Sequence, residues 1–197
     1  VLIIFLVIIC LSLLIVGYII NGKNIDNYKE ILSKSGRAIT DFTRKNNQGI
    51  TLFNVGLTGI LVLILILILQ IKISGPVMGA LMTVIGFSAF GKHPFNVFPS
   101  MIGVLVISLV FGYHPTDIVI SLAIIFATGL APITGEHGIV AGLFTGMIHL
   151  PIALTFNEIQ GGILLYANGF SAAFTAVIVH TLISTFERRD TKWRFMR

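Results

Sequence analysis

The sequence predicts an all-α polytopic membrane protein with about seven transmembrane segments, some of them short, broken or re-entrant. Hydrophobic residues make up 55% of the 197 residues and charged residues 11%, whereas soluble domains carry roughly 25% charged residues. Several apolar runs approach the length of about 20 residues that a helix needs to cross a bilayer. Prolines, glycines and ionisable residues interrupt the later runs, and these interruptions predict broken segments.

The composition excludes several classes of protein. Cys10 is the only cysteine, so a disulfide framework and a cysteine-based metal site are both excluded. The net charge of +5 comes from the connecting segments and the tail. This pattern is typical of basic cytoplasmic loops and not of a nucleic-acid surface. We therefore expect the lipid bilayer of the cell membrane as the main partner, and no nucleic acid.

The whole chain, residues 1–197, is predicted to form one membrane domain. Residues 1–20 lack a basic n-region and a small-residue cleavage site, so they predict a first span and not a signal peptide. Because the chain starts without methionine, we expect it to be the later part of a longer protein. The domain would then contain the first span, a cytoplasmic loop at 21–50, a helical bundle at 51–186 and a basic cytoplasmic tail at 187–197.

The loop at 21–50 contains one amphipathic pattern. Ile25, Tyr28 and Leu32 fall on one helical face, and Asn24 precedes them as a candidate N-cap. The pattern predicts a short helix, which either lies on the membrane surface or is an ordinary amphipathic connector.

Six further segments are expected after this loop. The segment at 51–71 begins with small and polar residues, 52–59, which must face protein or water. The segments at 75–90 and 100–111 are short for a full span, so they are tilted, extended by their loop or re-entrant. Seven crossings put all the strongly basic segments and Lys92 on one side, which makes the C-terminal tail cytoplasmic. The remaining three segments are 117–130, 138–150 and 163–186.

The stretch at 127–151 is the centre of the predicted pathway. Pro132 should break the helix, and a new helix could start near Thr134 as its N-cap. Glu136 and His137 follow at once, and ionisable residues at membrane depth are expensive enough to require a function. The alternative is that both residues lie at a membrane interface as helix caps.

The second half of this stretch carries glycines at every fourth residue. Gly138, Gly142 and Gly146 predict one smooth helical face that a neighbouring helix approaches closely. His149 falls on or near that face. It either lines the pathway or is a buried side chain whose hydrogen bonds are satisfied.

Two further groups are candidates for the pathway. Lys92 and His93 follow a broken helix end, where a lysine facing a cavity would favour anions, or where it simply obeys the charge rule. The stretch 52–59 resembles 165–172, because each combines an aromatic residue, an asparagine, a glycine and a hydroxyl. This similarity predicts an internal repeat with neutral polar groups facing a solute, or ordinary interhelical hydrogen bonding.

The sequence thus favours a transporter or channel for a small polar or anionic solute. An intramembrane enzyme that uses Glu136, His137 and His149 is the first alternative, and a structural or regulatory membrane protein is the second. The His137-to-His149 spacing matches no standard zinc motif, so no metal site is expected. No Ser-His-Asp arrangement is recognisable, and neither a catalytic residue nor a cofactor is predicted. The predicted pathway residues are Asn54, Gly56, Thr58, Lys92, His93, Asn96, Pro132, Glu136, His137, His149, Asn168, Gly169 and Ser171.

Four stretches of the chain carry a resemblance to a known family: Ser35 to Phe42, Gly86 to Pro94, Thr128 to Pro132, and Gly161-Gly162 with Tyr166 to Phe170. On these stretches the chain resembles a bacterial and archaeal family of multi-pass membrane proteins of unknown function. The resemblance implies that this chain is the later half of a two-repeat protein, so a related membrane half or a homo-oligomer would complete the pathway. The turn at 169–173 is also similar to the glycine–phenylalanine turns of urea transporters, over five residues.

Overall fold

The computed structural model describes residues 1–37, 41–45 and 47–194, with the side chains of all of these except 45 and 187–194. No strand occurs among them, so the all-α prediction is confirmed. The whole predicted basic tail, 187–197, lies outside the described side chains. The helices are α1 (Leu2–Ile20), α2 (Tyr28–Leu32), α3 (Phe42–Lys45), α4 (Gln48–Ile68), α5 (Gly75–Phe87), α6 (Pro94–Val110), α7 (Ile118–Phe126), a 3₁₀ helix (Ala127–Leu130), α8 (Ala131–Ile159) and α9 (Leu164–Arg194).

Several of these helices have the dimensions of membrane spans. Within the described residues, four helical stretches are long and apolar enough to cross a bilayer, and two further apolar helices, α5 and α6, are shorter. The chain is therefore compatible with a membrane-embedded protein, and the structure counts four candidate spans where the sequence predicted about seven. The four stretches are Leu2–Ile20, Gln48–Ile68, Ile118–Ile159 and Leu164–Phe186.

Helices α1 and α4 pack antiparallel at backbone contact. A Cβ added at Gly56 would meet the backbone of Leu14 at less than van der Waals distance, and one at Gly17 would meet the backbone of Phe53. Such contacts need small residues, because a side chain would hold the two helices apart. The small and polar first half of α4 is buried, so the prediction that 52–59 faces protein or water is confirmed.

Helices α6 and α8 form a second close pair. A Cβ at Gly103 would overlap the backbone of α8 near Leu143, and one at Gly146 would overlap the backbone at Ser100. The predicted glycine face is therefore confirmed at Gly142 and Gly146. It is wrong at Gly138, where an added Cβ would have nothing within 4 Å.

Gly138 instead reverses the chain inside α8. Its backbone has φ 89° and ψ 177°, in the region that favours glycine. A Cβ at Gly142 would overlap the side chain of Thr134, although residues eight apart in a straight helix are separated by about 12 Å. We therefore describe α8 as two halves, 131–137 and 139–159, that fold back on one another.

The predicted break near Pro132 is confirmed in part. Helix α7 ends at Phe126, a 3₁₀ helix follows, and α8 begins at Ala131 with Pro132 in its first turn, where a missing N–H costs no helical hydrogen bond. Thr134 is not the N-cap of the new helix, because it lies inside α8 and its Oγ1 is 3.1 Å from Oγ of Ser100 on α6. The reversal of the chain was not predicted, and it comes at Gly138, because glycine permits the positive φ that the reversal needs.

Helix α6 also begins earlier than the sequence predicted. The prediction started the segment at 100, after two prolines, whereas the helix starts at Pro94 and contains Pro99. His93 is the N-cap, and its backbone N–H donates to Oδ1 of Asn96 at 2.9 Å. This reciprocal cap, with proline at the first helical position, favours helix initiation there.

The described part of the loop at 21–50 folds against the bundle. Tyr28 and Ile31 of α2 are buried with Phe42 and Ile50, whereas Ile25 is 47% exposed. Asn24 is not the N-cap of α2, because the helix follows Asn27 and the Asn24 side chain accepts from the N–H of Asp26. The short helix was thus correctly predicted, but its buried face differs from the predicted one.

The α6–α8 contact generates a stability prediction. A methyl group in Gly146→Ala would meet the backbone of α6, and overpacking of this kind costs about 1–3 kcal/mol of the free energy of unfolding. Gly86→Ala is the matched control, because the space around Gly86 in α5 is open and alanine favours a helix by about 0.5–1 kcal/mol. The melting temperatures of both variants are measured by thermal unfolding in detergent. Equal melting temperatures for the two would contradict the close contact.

Candidate functional site

A cavity of about 320 Å³ lies between α5, the loop at 88–93, α7, the start of α8 and α9. This volume is within the usual range for small-molecule sites. The wall is mainly aromatic and small, with one cation. Its residues are Phe87, Phe90, Phe126, Gly36, Gly91, Gly129, Ala131, Gly169, Ala172, Ala173, Thr83, Lys92 and Pro132.

Lys92 is the charged group of this cavity. Its Nζ donates to Oγ1 of Thr128 at 3.0 Å and lies 5.2 Å from the centre of the Phe87 ring. No ion pair among the described side chains involves Lys92. Burial lowers the pKa of Lys92 to about 8, so the side chain is still mainly an ammonium at pH 7. The cavity therefore holds a cation whose described partners are neutral.

The loop that carries Lys92 is fixed by Asn54 of α4. The Nδ2 of Asn54 donates to the carbonyl oxygens of Ser88 at 2.7 Å and of Lys92 at 2.9 Å. Its Oδ1 accepts from the hydroxyl of Tyr28 at 2.9 Å, and Thr58 lies 3.5 Å away. Asn54 and Thr58 are completely buried. They hold the loop that carries Lys92, and they do not line the cavity.

Two more of the predicted residues, His93 and Asn96, contact backbone carbonyl oxygens in or near this loop. Nε2 of His93 lies 2.8 Å from the carbonyl oxygen of Lys34. Nδ2 of Asn96 donates to the carbonyl oxygen of Gly91 at 2.9 Å. Asn96 thus satisfies a backbone carbonyl of the turn between α5 and α6, and His93 joins this turn to the segment at 34–37.

The segment at 34–37 covers one side of the cavity. Gly36 and Gly91, both with positive φ, approach so closely that a Cβ at Gly36 would lie 2.6 Å from the carbonyl oxygen of Gly91. Gly135 of α8 similarly abuts the backbone of Ser35. The next residue, Arg37, forms an ion pair with Glu136 at 2.5 Å. The segment is therefore attached to both the loop and α8.

Glu136 and His137 lie together at the end of the first half of α8. Nε2 of His137 is 3.9 Å from Oε2 of Glu136, and the ring of His180 on α9 is 6.1 Å from that of His137. Nη2 of Arg37 lies 3.5 Å from Nε2 of His180. The predicted pair is thus part of a larger polar cluster at the chain reversal.

His149 is not part of that cluster. It lies eleven residues after Gly138, so it is about 16 Å further along α8. It is completely buried, and its Nδ1 lies 3.4 Å from Oγ1 of Thr175 on α9. The proposed grouping of Glu136, His137 and His149 therefore does not form in this structure.

The second polar group of the predicted repeat lies within α9. Asn168 donates to the carbonyl oxygen of Leu164 at 2.8 Å, and Ser171 donates to that of Asn168 at 2.9 Å. Residues 169–173 are helical, so they do not form the turn on which the likeness to urea transporters was based. Gly56, in the corresponding position of α4, contacts the backbone of α1.

Three of the predicted pathway residues line the cavity: Lys92, Pro132 and Gly169. Three residues of the site were not predicted. Arg37 contacts Glu136, and Thr128 contacts Lys92. His180 contacts Arg37. Arg37 and Thr128 fall in stretches that carry the family resemblance, which was the one available signal. His180 lies among apolar residues of the last span, where an isolated histidine is itself such a signal.

The fold and the cavity define the class: an all-α protein with membrane-length helices and a cavity lined by one lysine. Residues 20–185 match the family described as "Protein of unknown function (DUF1576)", and the chain belongs to that family. The predicted resemblance is thereby confirmed for a family of unknown function. Its bacterial or archaeal distribution, its two-repeat organisation and the likeness to urea transporters stay predictions. No curated protein and no solved structure matches the chain.

Proposed function

We propose that this protein is a transporter or channel that moves a small anionic solute through the cavity at Lys92. The observation that carries the proposal is the ammonium of Lys92, which contacts a neutral hydroxyl and a phenyl ring in a largely apolar cavity. A partly desolvated cation without an ionic partner is unfavourable. An anion in the cavity removes that penalty and makes a charge-assisted hydrogen bond.

The walls of the cavity narrow the class of anion. Phe87, Phe90 and Phe126 supply aromatic surface, and Thr83 is the other polar side chain among the lining residues. An inorganic ion such as phosphate needs several donors to replace its water. One ammonium in an aromatic cavity suits a small organic monoanion with an apolar part better, because the apolar part can contact the rings.

The two alternative functions lose their main support. The intramembrane enzyme needs Glu136, His137 and His149 together, and His149 has its partner on α9 instead. A purely structural protein would favour a closed bundle, whereas this bundle contains a cavity with a cation. The anion pathway accounts for both the volume and the charge.

We further propose that the chain crosses the membrane seven times. Because the chain reverses at Gly138, the stretch Ile118–Ile159 would supply two crossings, 118–137 and 139–159, each about 30 Å long. Adding α1, α4, α5, α6 and α9 gives seven. The charge rule then puts the loop at 21–50, Lys92, the reversal at Gly138 and the C-terminal tail in the cytoplasm.

Partners of the protein are also proposals. The bilayer of the cell membrane would surround the exposed apolar faces of α1 and α9, where large side chains such as Ile4, Ile8 and Val177 are exposed. A related membrane half or a second copy of the chain could cover part of these faces and complete the pathway.

The anion proposal predicts a specific effect of Lys92→Met on uptake into proteoliposomes. Benzoate, acetate and phosphate serve as anionic probes, and urea as a neutral polar probe. We expect the wild type to take up benzoate best, and the variant to take it up at least about tenfold more slowly. The reason is that a hydrogen bond to a charged group contributes about 1.5–3 kcal/mol, and 1.4 kcal/mol corresponds to a factor of ten.

Lys72→Met is the matched control for this experiment. Lys72 is exposed in the loop between α4 and α5, so its removal changes the net charge equally without touching the cavity. Uptake by this variant should equal that of the wild type. Equal anion uptake by Lys92→Met and wild type would contradict the proposal, and so would uptake of urea without uptake of any anion.

The seven-crossing proposal predicts labelling from opposite sides of the membrane. In a Cys10→Ser background, Ile139→Cys and Gln160→Cys introduce single thiols on either side of the second half of α8. A membrane-impermeant maleimide should label residue 139 from the cytoplasmic side and residue 160 from the outside. If the thiol at residue 139 is not labelled from either side, Ile118–Ile159 crosses the membrane only once and the proposal is overturned. Labelling of both thiols from the same side would also overturn it.

A further inference from the structure

The polar cluster at the chain reversal has the composition of a metal site. Glu136, His137 and His180 each offer one ligand atom, and these atoms all lie within 4.8 Å of one another. Two imidazole nitrogens and one carboxylate oxygen are a ligand set that Zn²⁺ and related ions accept in proteins. In tetrahedral zinc sites the ligand atoms are about 3.3–3.5 Å apart, as bond lengths near 2.0–2.1 Å require. Small side-chain rotations would close this difference.

The fold explains why these residues meet although their spacing matches no motif. The reversal at Gly138 leaves Glu136 and His137 at the end of a helix, next to α9. His180 then supplies the third ligand from a helix that is remote in sequence. The sequence alone predicts no metal site, because Glu136 and His137 are nearest in sequence to His149, which lies elsewhere in the structure.

A cation already occupies this cluster. The Arg37 guanidinium lies with Nη1 2.5 Å from Oε1 of Glu136 and Nη2 3.5 Å from Nε2 of His180. A guanidinium has only donors, so the carboxylate and the imidazole nitrogen both accept from it. Two of the three candidate ligands, Glu136 and His180, thus have acceptor atoms that face the same positive group. Oγ of Ser184 also lies 3.5 Å from Nε2 of His180. The Arg37 contact therefore places a cation at the position that a metal ion would take.

We propose that Glu136, His137 and His180 form a binding site for a divalent transition-metal ion such as Zn²⁺, which competes with the Arg37 guanidinium. The site is accessible, because the side chains of Glu136 and Arg37 are 26% and 58% exposed. An arginine on a partly exposed ion pair is a weak competitor, so a metal ion can displace it. This proposal does not depend on the anion pathway.

The test is a titration of the purified full chain, with its affinity tag removed, with Co²⁺ in detergent. Co²⁺ replaces Zn²⁺ in tetrahedral sites and gives visible absorption bands there, which Zn²⁺ should abolish by competition. We expect saturable binding by the wild type. His180→Ala and Glu136→Gln should each weaken it at least about tenfold, because even residues that only support metal ligands contribute factors of about 10–100.

Arg37→Gln tests the competition directly. It should bind Co²⁺ about two- to fivefold more tightly, the factor expected when a partly exposed ion pair is removed. His114→Ala is the matched control, because His114 is exposed in the turn after α6 and its ring nitrogen lies 2.6 Å from Oγ1 of Thr116. This variant should bind as the wild type does.

Each outcome decides the proposal. Co²⁺ binding that is equal in wild type, His180→Ala and Glu136→Gln, or absent from the wild type, overturns the metal site. Unchanged or weaker binding by Arg37→Gln overturns the competition with arginine. Circular dichroism and gel filtration check that each variant keeps its helices and its size, and Glu136→Gln, an isosteric change, serves if His180→Ala is unstable. Failure of the anion-uptake experiment would leave these results unaffected.

Discussion

The hydrogen bonds of the Asn54 side chain to the loop between α5 and α6 are the interaction on which the candidate site depends. A turn inside an apolar bundle leaves backbone carbonyls without helical partners, and lipid offers none. Asn54 bonds the carbonyl oxygens of Ser88 and Lys92 and is itself bonded by Tyr28. The loop is thereby fixed from α4 and from the segment at 21–50. Because the backbone of Lys92 is held in this way, its ammonium extends into the cavity toward Thr128.

Much of the helical architecture could be predicted from the sequence. Long apolar runs identify the membrane-length helices, since burial in lipid requires backbone hydrogen bonds within the segment. Small residues in the first half of α4, and the glycines at 142 and 146, identify the faces where helices touch. These features depend on local composition and periodicity. The sequence allowed two interpretations of Lys92, which either faces a cavity or is a loop residue that obeys the charge rule. A lysine at a broken helix end is unusual, so this loop could be identified as a candidate from the sequence.

The rest could not be predicted because it depends on contacts between distant residues. Proline patterns predicted a break near Pro132, and α8 does begin there, but the chain reverses at Gly138 through a backbone angle that no pattern reveals. Because the reversal was not predicted, the polar groups were combined wrongly. Glu136 meets Arg37 and His180 from opposite ends of the chain, whereas sequence proximity had favoured His149.

In the proposed function, Lys92 binds the anionic part of a solute inside the cavity. The most direct test is an experimental structure of the protein with 4-bromobenzoate, in which the anomalous signal of bromine locates the ligand. We expect the carboxylate within hydrogen-bonding distance of Nζ of Lys92, about 2.7–2.9 Å, and the bromine among the phenyl rings of the cavity. A bromine signal confined to other surfaces, with an empty cavity at saturating ligand, would contradict it.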